Sequence, residues 1–119
     1  QNTAKNQTTG KVTPSNGRKG LMAPVFTLKN RQNSRKQKYV QVTLEKYQGT
    51  YVEIRAKLKG QKYVRMKLKE NRIKKLHGCI KFRYTVSGKR IYFKVRTYQI
   101  QKGKKIYSAV SAQKSIKTK

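Results

Sequence analysis

At 119 residues, with only 34% apolar residues and a mean hydropathy of −0.95, the chain has room for one domain and one core. Its 32 lysines and arginines face three acids, Glu45, Glu53 and Glu70, for a net charge of +29 that makes binding to polyanions unavoidable at low salt. One histidine, one cysteine and no aspartate leave no Ser/His/Asp set, too few ligands for a metal and no phosphate-binding glycine loop, so neither an enzyme nor a cofactor protein is expected.

The chain begins at Gln1, which reads as a processed product or an excised piece whose export signal has been removed. Residues 1–20 are rich in Asn, Gln, Thr, Ser and Gly, and hold no aromatic residue. They cannot bury enough apolar surface to offset their ordering entropy, and are expected to form a flexible linker ahead of a folded domain spanning 21–119. Asn6-Gln7-Thr8 fits a glycosylation sequon, a pattern that short polar stretches produce by chance. Leu21 to Phe26 is the longest apolar run, broken by Pro24 and far short of the roughly 20 residues of a membrane helix, so no membrane span is expected.

From Val25 onward the apolar residues recur with period two. Val40, Val42 and Leu44 alternate with polar residues, as do the apolar positions of Tyr51–Leu58, Tyr63–Leu68, Ile80–Val86 and Ile91–Val95, and a last strand is expected from Ile106 to Ala112. Turn signals separate them at Gln48-Gly49, Lys59-Gly60-Gln61, Ser87-Gly88-Lys89 and Lys102-Gly103-Lys104. Residues 69–78 read as a connection across a sandwich, with room for one helical turn, and His77 beside Gly78 reads as a turn residue. Cys79 is either a small buried hydrophobe or a thiol pairing two chains. About seven short antiparallel strands give an all-β sandwich or small barrel with an apolar inner face and a basic outer face.

Gly88-Lys-Arg-Ile-Tyr-Phe-Lys-Val-Arg-Thr-Tyr98 and Lys102-Gly-Lys-Lys-Ile-Tyr-Ser-Ala-Val-Ser111 resemble the last two strands of a bacterial fibronectin type III domain. Upstream, Ala23-Pro24-Val25 resembles the opening of the first strand, and Tyr51-Val52-Glu53-Ile54 the third. The sequence departs from the family at two places: Leu44 stands where a core Trp is usual, and Ile91 where the tyrosine corner falls. The resemblance implies a seven-stranded, immunoglobulin-like antiparallel sandwich. Lysine-rich domains of this type belong to secreted or wall-associated proteins of Gram-positive bacteria, which implies an extracellular or cell-wall location.

The expected binding surface consists of outward cations interleaved with tyrosines: Arg55, Lys57, Arg65, Lys67, Lys81, Arg83, Lys94 and Arg96 with Tyr92, Tyr98 and Tyr107. Tyr39 and Tyr47 belong to the same set of exposed rings, and Lys59 and Lys69 continue the cation ladders. Such a face can track a phosphate or sulfate backbone while rings stack on bases or sugars. Glu53 is expected mid-strand as a cross-strand partner for a cation, whereas Glu45 and Glu70 show no role.

Two functions fit these features. One is a secreted recognition module that binds an extracellular protein, a receptor or an anionic glycan. A variant is a hormone-like signal of the kind irisin represents among free-standing fibronectin type III domains. The other is an intracellular nucleic-acid-binding protein, ribosomal or from a phage structure. Non-specific nucleic acid binding is expected at low salt in either case. The oligomeric state is left open between a monomer and a dimer formed through Cys79 or an edge strand.

Overall fold

The computed structural model describes residues 21–119. The linker expected over residues 1–20 and the Asn6-Gln7-Thr8 sequon lie outside the described residues. The described residues form eight strands and no helix: β1 (Val25–Gln32), β2 (Lys38–Lys46), β3 (Tyr51–Leu58), β4 (Val64–Arg65), β5 (Cys79–Arg83), β6 (Arg90–Gln101), β7 (Lys104–Tyr107) and β8 (Lys114–Lys117). They make two antiparallel sheets, one of three strands in the order β1-β2-β5 and one of five in the order β4-β3-β6-β7, with β8 also pairing with β6.

The period-two pattern explains the layering. Phe26, Val40, Val42, Leu44 and Ile80 point inward from the first sheet, and meet Val52, Ile54, Ile91, Phe93 and Val95 from the second. Phe82 and Phe93 touch edge to face across this layer, with centroids 5.5 Å apart. Leu44 is buried opposite Phe26. Ile73, at 1% exposure, plugs the core from the connection between β4 and β5.

The turns fall where expected. Lys102 and Gly103, with φ of 49° and 78°, close the β6–β7 hairpin as a two-residue turn with both central residues left-handed. Gly49 has φ of 104°, and a Cβ there would lie 2.9 Å from Leu21 Cδ1 and 3.1 Å from the Tyr98 carbonyl oxygen. The corner between β2 and β3 thus needs glycine for both its conformation and its clearance. His77 is a turn residue with φ of 54°. The 69–78 connection holds a run of overlapping turns rather than a helix, with Leu76 N–H donating to the Arg72 carbonyl and Gly78 N–H to that of Ile73, each at 3.1 Å.

Two strands differ from expectation. The strand expected over Tyr63–Leu68 shrinks to Val64–Arg65, because Met66 and Leu68 turn in against the core edge as the chain leaves for the other sheet. Of the strand expected over Ile106–Ala112 only Ile106–Tyr107 pairs, as the end of β7, while β8 at Lys114–Lys117 was not expected, so there are eight strands rather than seven. Serine chemistry causes the break. Ser108 and Ser111 each donate their N–H to β6, at Thr97 O (2.8 Å) and Val95 O (2.7 Å). Their hydroxyls, not their carbonyls, accept the return bonds from Thr97 N (2.8 Å) and Val95 N (2.9 Å). The four residues 108–111 on this segment thus span three, 95–97, on β6, a bulge that leaves Val110 at 52% exposure.

Candidate binding face

The outward side chains of the five-stranded sheet follow directly from its register. Arg65 lies opposite Arg55, Arg55 opposite Lys94, Lys57 opposite Tyr92, Glu53 opposite Arg96, Tyr51 opposite Tyr98, and Tyr98 opposite Tyr107. Lys67 follows β4 on the rim of the same face. Nine of the expected binding residues, Arg55, Lys57, Arg65, Lys67, Tyr92, Lys94, Arg96, Tyr98 and Tyr107, therefore belong to one surface.

Lys81 and Arg83 do not join them. They lie on β5 of the three-stranded sheet, whose outer face is on the opposite side of the sandwich. Tyr39 is on that side too, and is 9% exposed beneath Lys81, whose Nζ sits 5.4 Å from the ring centroid. Period two tells inner from outer positions but not which sheet a strand joins. Cys79 is half-buried on the same outer face, 3.7 Å from the Thr43 hydroxyl, rather than in the core.

The tyrosines are not free-standing rings. Tyr51 and Tyr98 stack with centroids 5.0 Å apart, and Tyr98 meets Tyr107 at 5.2 Å. The Arg96 guanidinium lies 3.8 Å from the Tyr107 centroid, and Lys105 Nζ 5.0 Å from that of Tyr98. Tyr63 lies across the sheet, with Lys94 Nζ at 4.8 Å and Lys57 Nζ at 5.1 Å from its ring, and its hydroxyl donates to Gln113. Each cation over a ring gains on the order of 0.5–1 kcal/mol, which offsets part of the crowding of like charges. Burial and the neighbouring Tyr92 push the Tyr63 hydroxyl pKa up.

Glu53 is the acid of this face. It is 8% exposed, accepts a hydrogen bond from Arg96 Nε, and lies 3.6 Å from Arg65 Nη1. Burial opposes its charge, yet the Arg96 hydrogen bond and the charges of Arg96, Arg55 and Arg65 outweigh burial and lower its pKa. Glu70, expected to be idle, organises the following turn. Its carboxylate accepts from the backbone of Asn71 and Arg72 and from the Arg72 guanidinium, which hold its pKa down to about 2.

Sequence reasoning missed Tyr51, Tyr63, Asn71 and Lys105. Tyr51 and Lys105 were legible in the alternation, since each shares the outward parity of a neighbour already singled out. Tyr63 opens the period-two run Tyr63–Leu68 and shares the parity of Arg65 and Lys67, so it too was legible, whereas Asn71 sits in an irregular segment where no period applies. Among the described residues no helix is long and apolar enough to cross a membrane, and no three His, Cys, Asp or Glu side chains cluster. Compared with known proteins, the chain matches no family model, no curated protein and no solved structure.

Proposed function

We propose that the chain is a non-catalytic, fibronectin type III-like recognition module that binds an anionic glycan on the outer face of its five-stranded sheet, outside the cell or at the cell wall. The observation that carries this reading is a continuous field of cations around the Tyr51–Tyr98–Tyr107 row, whose Glu53 is already neutralised by its own arginines. The strand order supports the module assignment: strands one, two and five oppose strands three, six and seven, as in sandwiches of the immunoglobulin type. An anionic glycan fits better than a single-stranded nucleic acid, because the rings are engaged with one another. Tyr98 is flanked by Tyr51, Tyr107 and Lys105, so a base could stack only by displacing them.

Affinity for heparin and for a single-stranded oligonucleotide, measured at physiological salt, tests the reading. Heparin should bind more tightly, and the triple variant Arg55→Gln/Lys57→Gln/Lys94→Gln should weaken it by about tenfold or more. The variant Lys81→Gln/Arg83→Gln, on the opposite face, should change it by no more than about twofold. Tighter binding of the oligonucleotide, with equal losses from both variants, would replace this reading with the nucleic-acid one.

A further inference from the structure

The cations of the outer face are not spread evenly. Between the segment 65–71 and the Tyr98–Tyr107 pair lies an open groove of about 400 Å³. Its walls differ in chemistry. Met66 and Leu68, both half-buried, give an apolar side, while Arg65, Lys67 and Lys105 give a basic rim.

The groove also holds a directional donor. Asn71 Nδ2 donates to the Tyr98 hydroxyl oxygen at 2.8 Å, so that oxygen is an acceptor there and its own proton is turned away from Asn71. Among the described residues no acceptor takes that proton. Arg65 is available as well: its side chain is 65% exposed, and its contact with Glu53, at 3.6 Å, is too long for a hydrogen bond. Glu53 lines the groove, but its charge is held by Arg96, and Arg55 and Arg65 add to the opposing field.

We infer that this groove is a subsite for one anionic sugar residue, a uronate or a sulfated hexosamine. Its carboxylate or sulfate lies among Arg65, Lys67 and Lys105 and accepts from the Tyr98 hydroxyl, and its C–H face packs on Met66 and Leu68. Charge alone would suit any anion. The apolar wall and the single oriented hydroxyl select an anion carried on a compact ring with an apolar face. The inference rests on the glycan reading above, and locates where along the face a chain is gripped rather than merely attracted.

The test is calorimetric titration with a sulfated disaccharide, its desulfated counterpart and inorganic sulfate, alongside full-length heparin. The sulfated disaccharide should bind more tightly than either control. Tyr98→Phe, which keeps the ring stack and removes only the hydroxyl, and Lys67→Gln/Lys105→Gln should each weaken it by about tenfold. Lys81→Gln/Arg83→Gln, on the opposite face of the sandwich, should stay within about twofold. The paired lysine variant replaces exposed rim residues, and so guards against a Tyr98→Phe loss caused by slackening of the 65–71 segment. If sulfate binds as well as the disaccharide, or all variants lose equally while heparin is retained, the subsite is overturned and the face reading survives. If heparin itself fails to bind at physiological salt, both fall.

Discussion

Arg96 on β6 donates from Nε to the Glu53 carboxylate directly across on β3, and the two side chains are 27% and 8% exposed. This places a nearly buried carboxylate in the middle of a cationic sheet face. Without it Arg55, Arg65 and Arg96 would repel one another over a low-dielectric core. Glu53 is therefore as much a condition of the face as its cations are.

Replacing Glu53 by Gln should destabilise the protein by about 1–3 kcal/mol, since a partly buried arginine loses a charge-assisted partner. Equilibrium urea unfolding measures this directly. A stability equal to that of the parent would show that Arg96 finds water or another acceptor at no loss.

Acid should unfold the protein through the same groups. Glu53 and Glu70 both titrate below the ordinary value of 4.5, Glu70 at about 2. Their contribution is complete above that ordinary value and is lost as pH falls through the depressed ones. The urea midpoint should hold steady from neutral pH to about pH 5 and then fall toward pH 2. Glu53→Gln should flatten that fall. A midpoint that rises on acidification would contradict the assignment.

Ser108→Ala and Ser111→Ala should each cost about 1–3 kcal/mol, because each leaves a backbone N–H on β6 without its acceptor. Hydrogen exchange distinguishes this from a general loss of stability. Protection should fall first at Thr97 in the former variant and at Val95 in the latter, and a uniform loss along β6 would count against a serine-made bulge.

At Gly49, substitution by Ala should destabilise more than the same change at Gly60. Both have positive φ, but the Gly49 Cβ would meet Leu21 and the Tyr98 carbonyl, while nothing lies within 4 Å of a Cβ at Gly60. Thermal unfolding of the two variants gives the comparison. Equal losses would mean that backbone conformation alone sets the requirement.

Much of this fold was legible because alternation is a local signal. Val40, Val42 and Leu44, or Ile91, Phe93 and Val95, declare an inward face without reference to any partner, and Gly49 and Gly103 announce their turns. What escaped was non-local. Nothing about Lys81 or Arg83 reveals that β5 joins the first sheet, away from Lys94 and Arg96. Ser108 and Ser111 read as ordinary strand positions until their hydroxyls are seen against Thr97 and Val95. Tyr63 shares the parity of Arg65 and Lys67, but nothing local says that its ring lies between Lys57 and Lys94. The binding face was thus visible as a residue type but divided correctly only by topology.

The most direct test of the account is an amide and side-chain NMR titration with a sulfated oligosaccharide at physiological salt. The account predicts shifts confined to the outer face of the five-stranded sheet, centred on Arg65, Tyr98, Lys105 and Tyr107, with Lys29, Lys81 and Arg83 unmoved. Shifts of equal size on both sides of the sandwich, or centred on Lys81 and Arg83, would contradict it.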